Sequence, residues 1–375
     1  MNILVFNWQD IRNPLGGGAE VHFHEIFKRL STRGHRVTLF CCEVEELPSE
    51  ETIDGIRVIR EGSRNLFNFY VRRRYERQFR RERFDVVVDD VNKIPFFTPN
   101  FIREPLVGIV HHLFGAGIFR EVSPQYGLYV YASERRAMRV YRRTPMAVVS
   151  ESTKGELVRN GFRPANICLV QNAVDHSVYR PTRSVKEQTG GVFHIGYLGR
   201  IKKYKSVDHL IRAFALVRSE CSRVALTIVG DGDARADLES LAHQLGVSDA
   251  VRFTRHVPTE EKVRLLNAMD AVVNTSVKEG WGLTVIEANA CGVPVVASDV
   301  PGLRDSVVDG KTGLLYEYGN VKQLAEKILV MIRDQNLRLQ CAAESIRWAQ
   351  SFQWEHSADA MERALERVIE KRQLD

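Results

Sequence analysis

The sequence predicts an α/β chain built of two doubly wound parallel sheets. Short apolar runs rich in Val and Ile alternate with longer segments of helical periodicity along most of the chain. That alternation restarts after a polar stretch from Arg180 to Gly191, which holds Pro181, Ser184, Gln188, Thr189 and Gly190 and reads as an interdomain linker. The length, 375 residues, exceeds an average single domain and suits two of roughly 180 residues, each able to bury its own core. The expected domains are residues 1–184 and 185–353, followed by a last helix in 354–375.

The first half opens with a strand from Asn2 to Asn7, then Gly16, Gly17 and Gly18, and a helix from Ala19 to about Arg33 with Phe23, Ile26, Phe27 and Leu30 on its apolar face. Gly34 is placed to end that helix, and Arg36 to Cys41 is the second strand. Three glycines in succession let backbone approach a ligand closely, so Gly17 and Gly18 are candidate binding positions. They could also form only a tight turn. The dinucleotide fingerprint G-x-G-x-x-G is absent here.

From Phe67 to Phe84 the pattern is amphipathic and basic. Phe67, Val71, Tyr75 and Phe79 recur every four residues, with Arg72, Arg73, Arg74, Arg77, Arg80, Arg81 and Arg83 between them. A surface helix with a solvated arginine face is the first expectation. Contact with an anionic membrane is the second, and nucleic acid is disfavoured because no reader motif accompanies the arginines. Strands follow at Asp85 to Asp89 and Leu106 to Val110, the latter ending in His111 and His112. A histidine just past the carboxyl end of a parallel strand lies where such sheets bind ligands, although a capping or core role is open to either. A helix near Tyr129 to Tyr141, a strand from Ala147 to Ser150, a helix from Thr153 to Asn160 and a strand from Ile167 to Gln171 complete this half.

The second half reads strand Phe193 to Leu198, helix Val207 to Arg218, strand Val224 to Val229, helix Ala234 to Leu245, strand Val251 to Phe253 and helix Thr259 to Ala268. Its first strand runs into Gly199 and Arg200, with Lys205 five residues on. Two cations on one strand-to-helix loop suit a diphosphate, Arg by forked hydrogen bonds and Lys as a point charge, although Lys202 and Lys203 also fit a merely solvated loop. Gly230 and Gly232 end the next strand and fit a turn lining a ligand.

The densest stretch is Asn274 to Arg304. A buried strand ends at Asn274, a glycine-bracketed turn spans Glu279 to Gly282, a short helix covers Leu283 to Ala290, and Val293 to Ala297 is the next strand. The N–H groups of Gly280, Trp281, Gly282, Leu283 and Thr284 sit at a helix N-terminus, where the dipole favours an anion such as phosphate. Glu279 precedes that turn and Glu287 lies one helical turn inside it, so both carboxylates can face one pocket and accept vicinal hydroxyls of a sugar or ribose. Past Leu315 the chain reads as helical, with a last helix from Phe352 to about Lys371.

Net charge is +6, with 28 Lys and Arg against 21 Asp and Glu in residues 1–184 (+7), and 25 against 26 in the remainder (−1). Six cysteines show no Cys-x-x-Cys pair or regular spacing, which fits a reduced chain with buried thiols. The opening Met1-Asn2-Ile3-Leu4-Val5-Phe6 is a strand pattern rather than a secretory signal. No apolar run reaches the roughly 18 residues that span a bilayer. Cytoplasmic placement is expected, at most against the inner face of the plasma membrane.

Glu279 and Glu287 within Glu-Gly-Trp-Gly-Leu, followed by Cys-Gly-Val-Pro-Val-Val-Ala, resemble the E-x7-E motif of the retaining glycosyltransferases of family four, which have the GT-B fold. The Gly199-Arg200 to Lys205 loop resembles the family's Gly-Arg-x4-Lys-Gly, with Ser206 in place of the last glycine. Asn172-Ala173-Val174-Asp175 resembles Asn-Gly-Val-Asp, and His111 resembles the family histidine that approaches the donor sugar, although His112 stands where many relatives carry Asp. The resemblance implies two Rossmann-like domains facing a cleft, the first on the acceptor side and the second binding the sugar nucleotide, with the final helix crossing back to the first. It implies a UDP- or GDP-linked sugar as substrate, no cofactor and no metal, and transfer of a hexose-type sugar with retention onto a glycan, lipid-linked or small-molecule acceptor. Glu279, His111, Arg200 and Lys205 take catalytic roles on this reading. Glu287, the residues from Gly280 to Thr284, and the glycines at 17, 18, 230 and 232 bind the donor. The rivals are a noncatalytic sugar-nucleotide-binding protein, an oxidoreductase and a glycosidase. The missing fingerprint argues against the second, and the anion site beside one glutamate against the third.

Overall fold

The computed structural model describes residues 1–182 and 191–374. The chain forms two compact units, Met1–Asn172 with Trp354–Asp375, and Ala173–Gln353. The boundary expected after Ser184 and most of the expected linker fall within 183–190, outside the described residues.

In the first unit, β1 (Asn2–Phe6), α1 (Gly18–Thr32) and β2 (Arg36–Cys41) form the expected βαβ opening. Phe23, Ile26, Phe27 and Leu30 of α1 are buried, and Gly34 takes φ +90° just beyond it. Next come β3 (Glu50–Ile53) and β4 (Ile56–Arg60), an antiparallel hairpin that the sequence reading did not anticipate. Its turn is Asp54-Gly55, with both residues at positive φ. α2 (Phe67–Arg77) buries Phe67, Val71 and Tyr75 but stops short of the helix expected to reach Phe84. At Gln78 the backbone leaves helical geometry (φ −126°, ψ −63°), and the redirected chain brings Phe79 and Phe84 into one core with Phe6 and Phe40. The unit continues with β5 (Val86–Val91), β6 (Leu106–Val110), α3 (Pro124–Val140), β7 (Met146–Val148), α4 (Glu151–Arg159) and β8 (Ile167–Leu169). α3 starts at Pro124, earlier than expected near Tyr129, because proline is compatible with a first helical turn.

The sheet order of the described residues is β3-β4-β2-β1-β5-β6-β7-β8, parallel except for β3. Sequence order reverses between β1 and β5, which places the switch point at their carboxyl ends.

The second unit holds β9 (Phe193–Leu198), α5 (Val207–Glu220), β10 (Val224–Val229), α6 (Arg235–Gln244), β11 (Val251–Phe253), α7 (Thr259–Asn267), β12 (Ala271–Asn274), α8 (Leu283–Ala290), β13 (Val295–Ser298), α9 (Leu303–Ser306) and β14 (Gly313–Tyr316). Helices α10 (Val321–Arg333) and α11 (Gln335–Gln350) follow. β14 corrects the expectation that helix sets in at once past Leu315: Leu315 and Tyr316 lie in an edge strand pairing with β13. Sheet order is β11-β10-β9-β12-β13-β14, all parallel, so the reversal lies between β9 and β12. Strands buried on both faces explain the continuous apolar runs, with Ile195, Tyr197, Leu226, Ile228, Val273 and Val296 packed on Leu210, Phe214 and Ile328.

α12 (Trp354–Leu374) packs within the first unit against α1, burying Trp354, Ala358, Met361 and Leu365. Arg33 of α1 pairs with Glu355, Asp359 and Glu362 along its exposed side.

Candidate active site

The loops leaving β9 and β12 meet at the switch point of the second sheet. Ile201 is the buried anchor of the first loop, and the Tyr197 hydroxyl donates to the Arg200 carbonyl at 3.0 Å. One turn of 3-10 helix over Lys203–Lys205 ends at Ser206. Ser206 is left-handed (φ 49°, ψ 41°), a conformation that glycine adopts without steric cost. This is where the family pattern carries glycine; here the Ser206 hydroxyl is shared with the Tyr318 hydroxyl at 3.0 Å. The second loop is stitched to the first, because Thr275 donates to the Lys205 carbonyl (2.8 Å) and the Val277 N–H to the Tyr204 carbonyl (3.0 Å).

This stitching sets Lys205 Nζ 2.5 Å from Glu279 Oε1, which also accepts from the Ser276 hydroxyl at 2.8 Å. The two side chains are only 15% and 16% exposed. Burial opposes charge on Lys205, but the Glu279 carboxylate outweighs it and the ammonium is held above its usual range. Arg200 lies exposed on the same loop.

Three residues past Glu279, Gly282 caps α8 with φ +92°, and a Cβ there would sit 3.0 Å from Leu303 and 3.1 Å from Ser306. The Val285 and Ile286 N–H groups turn back to the Gly282 carbonyl, which leaves the two N–H groups ahead of them, at Leu283 and Thr284, at the positive end of the helix where an anion is favoured. Gly302, which the sequence reading did not single out, supports the same turn. A Cβ on it would lie 2.2 Å from the Glu279 carbonyl, while the Glu279 N–H donates to Pro301. The Pro301-Gly302 dipeptide was the available signal. Glu287 is buried rather than solvated, its Oε1 accepting from Lys262 Nζ at 2.7 Å and its Oε2 without a protein partner. Sequence reasoning also missed Lys262, since a lysine in an amphipathic helix carries no local mark of its partner.

Other expected donor-binding positions have structural duties. The Trp281 ring is buried edge-on against Phe352 at 5.1 Å. Gly230 and Gly232 let β10's loop pack on the Arg200 loop, because Cβ atoms there would lie 2.0 Å from the Gly199 carbonyl and 2.1 Å from that of Ile201. They shape the cation loop from behind. Gly280, Leu283 and Thr284 are half-buried around the α8 start.

In the first unit, His111 follows β6 with Nε2 3.2 Å from Asp90, and Asp90 also accepts from the Asn7 amide at 3.2 Å. Burial pulls the His111 pKa down, but the charge and hydrogen bond of Asp90 outweigh it and raise it overall. His22 stands edge-on at 5.1 Å. Burial first, then the charge of His111, push its pKa down to about 3, so His22 is neutral and donates Nε2–H to Val170. The Gly17 N–H is already committed to Glu20 at 2.6 Å, so a carboxylate occupies the end of α1 where a ligand was one expectation. A Cβ at Gly18 would meet nothing within 4 Å. Among the described residues no cluster of His, Cys, Asp and Glu has the makings of a metal site, and the six cysteines are free.

Two unequal sources of similarity bear on this geometry. The model "Glycosyltransferase Family 4" matches residues 16–178 and "Glycosyl transferases group 1" matches residues 181–348. Sucrose-phosphate synthase from Thermosynechococcus elongatus superposes with TM-score 0.80 at 19% identity over 99% of both chains. The Anabaena protein HepE in complex with UDP-glucose does so with TM-score 0.76 at 22% identity, over 98% of this chain and 99% of that one. These likenesses establish the GT-B fold. The chain thus belongs to the glycosyltransferases of the family 4 type, its first half matching the family 4 model and its second the group 1 model.

Among curated relatives, the D-inositol 3-phosphate glycosyltransferase of Corynebacterium aurimucosum is 33% identical over 227 residues, 57% of this chain and 54% of that protein. The Rhodococcus erythropolis enzyme of that name is 35% identical over 213 residues, 54% and 48% of the two chains. The chain spans about half the length of the curated relatives it matches.

Proposed function

We propose that the protein transfers a hexose-type sugar from a nucleoside-diphosphate donor to a glycan, lipid-linked or small-molecule acceptor, with retention of anomeric configuration and without a metal ion. The observation carrying this is the second unit's switch point, where a part-buried ammonium, an exposed guanidinium on the same loop and the Glu279 carboxylate sit on two stitched loops that lead into the N-terminus of α8, the helix that carries Glu287. Breaking the glycosidic bond builds negative charge on the departing diphosphate. Lys205, Arg200 and the N–H groups opening α8 are the groups that would stabilise it, and electrostatic stabilisation of this kind is usually the largest catalytic contribution.

Glu279 keeps Lys205 charged and oriented and is assigned to the transferred sugar. Glu287 is assigned to the ribose, whose hydroxyls would donate to its unpartnered Oε2. HepE's bound UDP-glucose and the name of the curated relatives support a nucleotide sugar as donor and make inositol 3-phosphate the first acceptor to try. A thermal-shift panel of UDP- and GDP-sugars identifies the donor, because a ligand that binds the native state raises apparent stability by mass action. Product anomers read by NMR should then show retention, with turnover unchanged by EDTA. An inverted product, or activity lost to chelator and restored by a divalent ion, defeats the reading.

A further inference from the structure

Glu287 is in an unusual state for a carboxylate expected to receive a ligand. It is 4% exposed; Lys262 of α7 takes one oxygen at 2.7 Å, and the other oxygen, equally buried, has no partner from the protein. Lys262 is itself constrained, its ammonium lying 5.1 Å from the centre of the Tyr179 ring. The titratable groups facing Glu287 from neighbouring elements are Lys262 on α7 and Tyr179 on the segment before the second sheet, with Cys291 closing α8 itself. Burial, and after it the charge of Glu287, raises both Tyr179 and Cys291, the latter to about 12, so both stay protonated and neutral, and the Tyr179 hydroxyl is turned toward Glu287 as a neutral hydrogen-bond donor. Lys262 is therefore the group that compensates the buried carboxylate.

We propose that Lys262 is a positioning residue for the donor's ribose: by occupying Oε1 it holds Glu287 in one orientation, presenting Oε2 as the acceptor for the vicinal hydroxyls. This rests on the glycosyltransferase reading above and assigns that site a residue that neither its motif nor its family likeness marks. It also makes ribose recognition one-sided, since one oxygen is spent on the lysine and a single oxygen is left for the sugar.

The test compares UDP and GDP with their 2′,3′-dideoxy counterparts by calorimetry from pH 6 to 9. Wild type should prefer the ribose form of its nucleotide by about tenfold throughout, the scale of a hydrogen bond to a charged group. Lys262→Met should lose that preference across the range, because Glu287 is no longer held in one orientation. Lys262→Arg, which keeps the charge, should retain it at every pH. A Lys262→Met protein that melts earlier but discriminates as wild type does at both ends of the range makes Lys262 a packing residue and overturns the proposal. If wild type does not distinguish the two forms, or Glu287→Gln still does, the ribose assignment fails first and takes the proposal with it.

Discussion

At the scale of single residues, the Lys205–Glu279 pair is best read as a positioned charge rather than a source of stability. A buried ion pair loses in desolvation much of what it gains in attraction. On the function proposed above, a diphosphate would replace Glu279 as the counterion of Lys205. Arg200→Ala and Lys205→Ala should therefore lower kcat as well as donor binding, by about 30- to 1000-fold in rate for a contact worth roughly 2 to 4 kcal/mol in the transition state. Glu279→Gln should act mainly on kcat, and Glu287→Gln mainly on the donor KM. Steady-state kinetics on folded variants decide this, and near-normal turnover by both Arg200→Ala and Glu279→Gln would move the active site elsewhere. Asp89 offers a separate test. It is fully buried on β5, accepting from Tyr141 and Thr98 at 2.5 Å each, and burial first raises its pKa to about 7. The folded chain therefore binds a proton that the unfolded chain has released above about pH 4, so this residue's contribution to stability declines as pH rises from about 4 to 7. Urea denaturation of Asp89→Asn should show a flatter pH dependence over that range than wild type; an unchanged slope would mean that Asp89 is ionised throughout.

At the scale of elements, two loops depend on backbone positions that side chains rarely adopt. Ser206 ends the Lys203–Lys205 turn at positive φ, a conformation costing a non-glycine residue roughly 1–2 kcal/mol, while its bond to Tyr318 contributes about 1 kcal/mol. Ser206→Gly removes both the strain and the bond, adds unfolded-state entropy, and should be nearly neutral. Ser206→Ala keeps the strain, loses the bond, and should cost about 1 kcal/mol in denaturant unfolding. Equal losses for the two variants would show that φ is not strained there. Gly232 gives the contrasting case: no rotamer relieves a Cβ 2.1 Å from the Ile201 carbonyl. Gly232→Ala must displace the Arg200 loop, so donor affinity as well as stability should fall.

At the scale of the molecule, each unit has its own parallel sheet, core and switch point. No helix among the described residues is long and apolar enough to cross a membrane. The first unit nonetheless carries the basic face: Arg73, Arg77, Arg80, Arg81 and Arg83 are exposed on α2 and the turns after it, with Phe69 and Leu66 exposed nearby at 66% and 52%. Cations beside exposed apolar groups suit an anionic lipid surface. Cosedimentation should be greater with anionic than with neutral liposomes and should weaken with salt. Equal binding to both would leave the arginines as a solvated face.

The sequence by itself determined the α/β class and the position of most strands and helices, because a period of 2 or 3.6 and the turn residues between elements are local properties. It also determined the spacing of Glu279 and Glu287, since the turn and first helical rise between them are set by the seven residues that separate them. The tertiary structure alone decided the partners. Lys205 and Glu279 are 74 residues apart, and Lys262 and Glu287 are 25 apart. The first meeting follows from sheet order, which lays β12 directly beside β9, and the second from the packing of the helices that precede and follow β12. The burial of Trp281 and the support Gly302 gives the Glu279 turn were likewise settled by packing. A residue's periodicity records which way its side chain faces along its own element, but the group it meets there is supplied by a distant stretch of chain.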